Sequence, residues 1–193
     1  MTLDATDVLL ACGPDRARLF QQAPRTVWLT GLSGAGKSTL AFELERRLLA
    51  ASNPCYVLDG DNVRQGLNRD LGFSPDDRTE NIRRVAEVAH LMNEAGLIVI
   101  AALLSPMRAD RALAKSIIGA GRFVEIYLNT AVSTCEKRDP KGLYRRARSG
   151  ELSNFTGISA PYETPSSPAL IIDTTFVEID RAATNILEIT DLI

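Results

Sequence analysis

Five short apolar runs alternate with longer amphipathic stretches along the chain. The runs cover residues 26–30, 55–59, 97–104, 123–128 and 169–173. Each run is almost continuous in β-branched and aliphatic side chains, a composition typical of strands that are covered on both faces. The alternation therefore predicts an α/β fold, with a five-stranded parallel sheet flanked by helices on both faces.

The stretches between the runs have the spacing of helices that bury one side. Leucines at positions 40, 44 and 48 recur every four residues after the first run, and a second stripe extends from Ile82 to Met92. Gly96 follows that stripe and is expected to end its helix. A closing helix is expected over about 177–190.

Three stretches depart from this alternation. Residues 68–81 are polar and contain glycine and proline. Residues 137–168 begin as a basic segment and continue as a long irregular stretch, which is typical of a lid or binding loop. We predict a mobile basic lid over about 137–165, called the lid segment below. Residues 1–23 are expected to form an appendage with one short helix near 14–22, and residues 24–193 a single domain.

The sequence TGLSGAGKSTL, residues 30–40, follows the first predicted strand and opens the first long helix. Its Gly-x4-Gly-Lys-Ser pattern is that of a P-loop, whose glycines turn backbone N–H groups toward phosphate oxygens. Lys37 is placed to reach the β- and γ-phosphates, and Ser38 to join the oxygen shell of Mg²⁺. A glycine-rich turn with a surface lysine is the alternative. The predicted ATP-binding residues are Gly31, Leu32, Ser33, Gly34, Ala35, Gly36, Lys37, Ser38 and Thr39.

The residues after the next two runs favour a small-molecule kinase over a switch or a motor. The third run ends in Ser105, so the usual carboxylate of the Walker-B strand is missing there. A carboxylate does follow the second run, in LDGDNVR, residues 58–64. Asp61 is placed to orient or deprotonate an attacking hydroxyl, and Arg64 to hold an anionic acceptor. A turn or helix N-cap is the alternative role for Asp61.

Further candidates for the acceptor pocket lie downstream. Arg78 and Asn81 are one helical turn apart and can face the same pocket. Phe73 is expected either to pack in the core or to stack on a planar base. The sequence KRDPKGLYRRAR in the lid segment has six basic residues and one aspartate. That charge suits closure over transferred phosphates, with an RNA-binding patch as the alternative.

Taken together, these motifs resemble the adenylylsulfate kinase family. The resemblance covers about residues 25–175 and is carried by TVWLTGLSGAGKSTLA, LDGDNVRQGLNRDLGFSPDDRTENIRR, CEKRDPKGLYRRARSGELSNFTGI and PYE. It implies a P-loop kinase fold, with ATP and Mg²⁺ as cofactors. The implied reaction moves the γ-phosphoryl group of ATP to the 3′-hydroxyl of adenosine 5′-phosphosulfate (APS), giving 3′-phosphoadenosine 5′-phosphosulfate (PAPS) and ADP. The resemblance also implies a homodimer, and a separate ATP sulfurylase as the coupled enzyme.

The resemblance assigns roles residue by residue. Asp61 is similar to the family's acidic residue near the acceptor hydroxyl, and Ser105 to a serine described there as a phosphorylated intermediate. We prefer direct in-line transfer, catalysed by Lys37 and Asp61 with Ser105 contacting the substrate by its hydroxyl or its backbone. Arg138 resembles a lid residue that packs near the ATP base. The implied acceptor-binding residues are Asp61, Arg64, Phe73, Arg78, Asn81, Ser105, Lys141 and Phe155, with Phe73 and Phe155 on either side of the APS adenine.

Ser159 and Ala160 stand where the family usually has acidic residues before PYE. This difference puts in doubt how the lid segment docks.

Composition limits the binding partners and the cellular compartments that the chain suits. The net charge of −2 provides no general attraction to nucleic acid or to an anionic membrane. Three scattered cysteines, at positions 12, 55 and 135, fit neither a disulfide framework nor a zinc site and suit the cytoplasm. Neither a membrane-spanning run nor a signal peptide is expected. Two rivals stay open: a P-loop kinase for another small anionic acceptor, and a non-catalytic nucleotide-binding regulatory module.

Overall fold

The structure is a computed structural model that describes residues 15–192 and is built around a parallel β-sheet. Its strands are β1 (Thr26–Gly31), β2 (Cys55–Asp59), β3 (Ile98–Ala102), β4 (Phe123–Leu128) and β5 (Leu170–Ile172). The strand order is β2-β3-β1-β4-β5, and all neighbours run parallel. The predicted five-stranded parallel sheet is thus confirmed, and the carboxyl ends of its strands share one edge.

Helices cover both faces of this sheet. Their bounds are α1 (15–20), α2 (Lys37–Ala50), α3 (Gly60–Gln65), α4 (Pro75–Glu94), α5 (Arg108–Ile118), α6 (Val132–Arg138), α7 (Leu143–Arg148) and α8 (Ile179–Thr190). No helix within residues 15–192 is long and apolar enough to cross a membrane.

Alternate residues of the strands separate two apolar layers. Val27 and Leu29 of β1 face the layer that α2 and α8 close, whereas Trp28 between them faces the layer under α4 and α5. This is the period-two alternation of strands that are covered on both sides. The leucines at 40, 44 and 48 are fully buried in the first layer, as their spacing predicted.

The polar stretch 68–81 is irregular only in its first part. α4 begins inside it at Pro75, with Ser74 as the N-cap and the Ser74 hydroxyl accepting from the backbone N–H of Asp77 at 3.1 Å. A capping serine followed by proline at the first helical position is a favourable helix start. These two residues start a helix even though the stretch is polar.

The lid segment combines helix and irregular chain. It starts at the last turn of α6, includes α7, and continues after residue 148 with a single isolated bridge between Thr156 and Ala160. The Ser159 hydroxyl accepts from the backbone N–H of Phe155 at 3.0 Å, which fixes a tight turn. The mobility of the segment stays a prediction.

The described part of the predicted appendage packs at the amino-terminal edge of the sheet. Residues 15–20 are helical, while residues 1–14 lie outside the described part of the chain. The Gln22 side chain donates to the carbonyls of Pro54, before β2, at 2.9 Å and of Gly96, before β3, at 2.7 Å. These contacts lie opposite the carboxyl ends of the strands. The domain boundary near residue 24 stays a prediction.

Candidate active site

The P-loop connects the carboxyl end of β1 to the start of α2. Gly34 and Gly36 have φ of +76° and +94°, a backbone region that glycine adopts without strain. A Cβ atom at position 34 would also lie 2.9 Å from the carbonyl oxygen of Cys135. Gly36 is the N-cap of α2 and offers no side-chain cap. The backbone N–H groups of the first turn of α2 therefore suit an anion.

The Lys37 ammonium folds back over this loop. Its Nζ donates to the carbonyl oxygens of Gly31 at 2.8 Å and Leu32 at 2.7 Å. Burial lowers the pKa of Lys37 to about 8, although Asp59 and Asp61 act in the opposite direction. A polyphosphate beside Nζ would favour the charged form again. The site is thus electrostatically incomplete until an anion binds.

Ser38 is joined to a buried carboxylate at the end of β2. Its Oγ donates to Asp59 Oδ2 at 2.6 Å. The other carboxylate oxygen of Asp59 accepts from the backbone N–H of Asp61 at 3.0 Å and caps α3. A hydroxyl and a carboxylate fit Mg²⁺, which prefers oxygen ligands and takes few of them from the protein.

Asp59 is missing from the sequence-based predictions. The Walker-B carboxylate was expected at the end of the third apolar run, but β2 lies next to β3, and Asp59 stands beside Ala102. The available signal was an aspartate at the carboxyl end of a buried strand. Such a carboxylate shares the sheet edge with the P-loop.

Asp61 lies on the exposed side of the same turn. Its carboxylate forms an ion pair with the Lys141 ammonium of the lid segment. The side chains of both residues are more than half exposed. The structure thus brings together the predicted acceptor carboxylate and the predicted lid lysine.

A cluster of two guanidinium groups and one aromatic ring lies beyond Asp61. The Arg64 and Arg78 guanidinium carbons lie 4.5 Å and 5.8 Å from the centroid of the Phe73 ring. Phe73 is 65% exposed, which rules out the core-packing alternative. Arg78 also donates to the carbonyl of Asn154 in the lid segment at 3.1 Å. The cluster is therefore an open, positively charged surface with a planar ring.

Phe155 and Asn81 border this cluster but are less exposed. Phe155 follows Asn154 and packs edge-on against Tyr144, with ring centroids 5.0 Å apart. Asn81 is buried, and its Oδ1 accepts from Asn68 Nδ2 at 3.0 Å. Their predicted contacts with substrate stay predictions.

Ser105, which was predicted to contact substrate by its hydroxyl or its backbone, lies in a buried hydrogen-bonded group. Its side chain is buried, its Oγ donates to Thr30 Oγ1 at 2.9 Å, and Trp28 Nε1 donates to that same Oγ at 3.1 Å. The backbone of Ser105 has φ of +36°. The predicted contact of Ser105 with substrate, by its hydroxyl or its backbone, stays a prediction.

Arg138 lies on the other side of the P-loop. Its guanidinium donates to Thr174 Oγ1 at 2.8 Å and to the Thr174 carbonyl at 2.7 Å, just after β5. Thr174 in turn donates to the P-loop carbonyl of Ala35 at 2.9 Å. The end of α6, the turn after β5 and the P-loop are therefore connected.

Residues 23–173 match the family model described as adenylylsulphate kinase. The chain belongs to this family. Among its relatives, the adenylyl-sulfate kinase of Pseudomonas aeruginosa is 54% identical over 172 residues, covering 89% of this chain and 88% of that protein. The bifunctional enzyme NodQ of Azospirillum brasilense is 52% identical over 91% of this chain, which spans only 28% of the length of NodQ.

A solved structure supports the same membership in the adenylylsulphate kinase family. The Mycobacterium tuberculosis APS kinase CysC, in complex with AMPPNP and APS, is 45% identical to this chain and superposes with a TM-score of 0.85. The match covers 88% of this chain and 99% of that one. The family resemblance and the P-loop kinase fold expected from the sequence are confirmed, and the chain is a member of an ATP-dependent kinase family.

Proposed function

We propose that the chain transfers the γ-phosphoryl group of ATP to the 3′-hydroxyl of APS, producing PAPS and ADP. The observation that carries this proposal is the position of residues 59–61 between two binding regions. Asp59 accepts from the P-loop hydroxyl of Ser38, and two residues later Asp61 pairs with Lys141 of the lid segment and shares the short helix α3 with Arg64 of the arginine cluster. A donor cradle and an anionic acceptor pocket thus meet at one short turn, the arrangement that phosphoryl transfer requires.

The acceptor side fits a flat, anionic substrate. Arg64 and Arg78 offer planar guanidinium groups that suit sulfate and phosphate oxygens. Phe73 provides an exposed ring for the adenine, with Phe155 on the opposite side and Asn81 at the border. A sugar acid would use the positive charge but not the aromatic surface, so this pair of features favours a nucleotide acceptor.

The donor side supplies charge compensation for transfer. Residues 31–39 would hold the phosphates, with the N–H groups of the first turn of α2 and the ammonium of Lys37 facing the oxygens that carry negative charge. Ser38 and Asp59 would hold Mg²⁺, which neutralises charge on the β- and γ-phosphates when bound.

In the transfer itself, Asp61 accepts the proton of the 3′-hydroxyl as that oxygen bonds to the γ-phosphorus. The bond between the γ-phosphorus and the bridging β-oxygen breaks, and ADP leaves. Because the Asp61 carboxylate is paired with Lys141 in this structure, the acceptor hydroxyl must share or replace that contact. Lys141 then lies beside the transferred group, where its positive charge compensates the developing negative charge.

Other features of the proposal concern the whole enzyme. The lid segment would move over the bound phosphates, and Ser159 and Ala160 would alter how its end docks. A homodimer and a separate ATP sulfurylase as the source of APS belong to the same proposal. Light scattering on the purified protein would determine whether it is a dimer.

The direct experiment compares acceptors. The protein is incubated with Mg²⁺, γ-labelled ATP and, in parallel, APS, shikimate, gluconate and a nucleoside, and label is followed into product. We expect label in PAPS only, and none with Lys37→Met. Label in another acceptor but not in PAPS would overturn the substrate assignment. ATP binding without transfer to any acceptor would instead support a regulatory module.

A further inference from the structure

A buried asparagine next to Asn81 has no role in the site described so far. Asn68 is fully buried and lies just after α3, the helix that carries Asp61 and Arg64. The backbone N–H of Asn68 donates to the carbonyl of Val63 at 2.8 Å, which fixes Asn68 at the end of α3. A buried amide side chain needs hydrogen-bond partners, so the partners of Asn68 show what holds it there.

The side chain of Asn68 makes one hydrogen bond within residues 15–192. Its Nδ2 donates to Oδ1 of Asn81, on α4, at 3.0 Å. The Oδ1 atom of Asn68 is buried and has no partner in the same part of the chain. A buried amide oxygen left unpaired lowers stability, and an apolar pair of side chains would avoid this cost. Stability alone therefore does not account for the two amides.

The hydrogen bond decides which end of the Asn81 amide is free. An asparagine side chain has an oxygen that accepts and an Nδ2 group that donates two hydrogen bonds. With its Oδ1 held by Asn68, Asn81 keeps an Nδ2 group that donates to no described residue. If the Asn81 amide were turned over, its own donors would face the donor of Asn68. The contact therefore favours the orientation that leaves the N–H groups of Asn81 free.

The free N–H groups belong to the acceptor side of the site. Asn81 follows Arg78 by three residues on α4, so the two residues are neighbours on the helix surface. Arg78 in turn contacts the Phe73 ring and the carbonyl of Asn154 in the lid segment. An anionic nucleotide presents sulfate, phosphate and ring-nitrogen atoms, all of which accept hydrogen bonds. An N–H group suits each of these atoms, whereas an amide oxygen would repel them.

We propose that Asn68 is a positioning residue that holds the Asn81 amide with its N–H groups toward the acceptor substrate. Asn68 itself does not touch the substrate and takes no part in the chemical step. Because Asn68 is fixed to the end of α3, its hydrogen bond also sets Asn81 relative to Arg64 of that helix. This inference rests on the proposed function, since it takes APS as the ligand of the acceptor pocket.

Steady-state kinetics on two variants of Asn68 test the proposal. Asn68→Leu keeps the size of the side chain but cannot donate, so the Asn81 amide is free to turn over. KM for APS should rise about 3- to 30-fold, while kcat and KM for ATP change by less than about twofold. Asn68→Asp keeps the shape of asparagine, and its carboxylate only accepts, so Asn81 must turn its oxygen toward the substrate. KM for APS should then rise at least as much as in Asn68→Leu.

The same change in an Asn81→Ala background separates positioning from a general effect on the fold. Asn81→Ala removes the amide through which Asn68 acts. Addition of Asn68→Leu to that variant should therefore raise KM for APS by less than about twofold more.

Asn93 offers a matched control on the same helix. It is a buried asparagine near the end of α4, and its Oδ1 accepts from Thr26 Oγ1, at the start of β1, at 2.8 Å. Asn93→Leu also removes a buried amide, so it should lower the midpoint of urea denaturation. KM for APS should be unchanged in Asn93→Leu, because Asn93 lies away from the acceptor residues.

Two results would overturn the inference. One is a wild-type KM for APS in both Asn68→Leu and Asn68→Asp. The other is an equal rise in KM whether or not the Asn81 amide is present. A wild type that phosphorylates another acceptor and not APS would contradict the proposed function, and the same variants compared with that acceptor would then test Asn68 separately. A wild type that phosphorylates no acceptor would overturn both.

Discussion

At the scale of single residues, Asp59 and Asp61 show how two carboxylates in one turn acquire different roles. Asp59 is buried, accepts from Ser38 and caps α3, so both of its carboxylate oxygens are engaged in local structure. Asp61 is exposed, and its ion-pair partner Lys141 belongs to the lid segment. Because a substrate hydroxyl can replace Lys141 beside it, Asp61 is the carboxylate of the two that can receive a proton from substrate.

Asp61→Asn is the first prediction. The amide keeps the size and some hydrogen bonding of the carboxylate but cannot accept the proton, so we expect kcat to fall about 10²- to 10⁴-fold. The dissociation constant for ATP should stay nearly unchanged because Asp61 lies on the acceptor side. Both quantities come from steady-state kinetics with APS and calorimetry with ATP.

Asp180→Asn serves as the control for that change. Asp180 is also an exposed aspartate in an ion pair, with Arg47 on the far side of α2, and its variant should turn over normally. Turnover of Asp61→Asn near the wild-type rate would remove Asp61 from the proton transfer.

At the scale of elements, the apolar pattern located the strands to within two residues, because burial on both faces leaves little room for polar positions. β2 and β4 begin and end where the runs do, whereas β3 is shorter than its run, since residues 103–107 are irregular. α4 begins at Pro75, just before the helical turn that Arg78 and Asn81 were expected to share, because Ser74 caps it and proline suits the first helical position. Burial of individual polar side chains could not be predicted from the sequence. A serine at the end of a strand gives no sign that Trp28 and Thr30 form hydrogen bonds with its hydroxyl, as they do with Ser105.

One such hidden feature fixes the end of the lid segment. Arg111 of α5 is almost fully buried and donates to the carbonyls of Ser105 and Glu163, each at 2.6 Å. Its charge is balanced by Glu125 of β4 at 2.7 Å. Tyr162 adds a hydrogen bond between its hydroxyl and Thr30 Oγ1 at 2.9 Å. The turn after β3 and the last part of the lid segment are therefore connected through the protein interior.

Tyr162→Phe tests whether this connection matters for the acceptor. Tyr162 stacks on Tyr127, with centroids 5.7 Å apart, and the Tyr127 hydroxyl donates to Asn129 instead. Each Tyr→Phe change removes one hydrogen bond and should lower the unfolding free energy by about 1 kcal/mol. Only Tyr162→Phe should also raise KM for APS, by about threefold, because only its hydroxyl reaches the Thr30–Ser105 pair. Equal KM values for Tyr162→Phe and Tyr127→Phe would mean that the Tyr162 hydrogen bond contributes to stability alone. Urea denaturation and steady-state kinetics provide the two readouts.

At the scale of the whole molecule, two energetically unfavourable features lie at the carboxyl edge of the sheet. They are the partly buried Lys37 ammonium and the positive φ of Ser105. The two apolar layers below supply the stability that offsets them. A stability cost concentrated at one site is expected where a fold holds a ligand-binding geometry in advance.

Lys37→Met tests this cost. Below pH 8, Lys37 is charged in both the folded and the unfolded chain, and burial penalises only the folded one. Removing the charge should therefore raise the unfolding free energy at pH 7 by about 1–3 kcal/mol, while ATP binding is lost. The gain should shrink as the pH rises from about 8 toward 10.5, the ordinary value, because the wild-type lysine then becomes neutral in the folded chain first.

Urea denaturation at pH 7 and pH 9.5 measures that difference, with exposed Lys115→Met as a control that should show neither the gain nor its loss. A Lys37→Met variant less stable than the wild type at pH 7 would mean that the contacts with Gly31 and Leu32 outweigh the cost of burying the ammonium. Lys37 would then stabilise the ligand-free fold. If Lys37→Met is more stable at pH 7 and this difference shrinks at pH 9.5, the Lys37 charge destabilises the ligand-free fold. The interaction that favours the charge is then the one with bound phosphate.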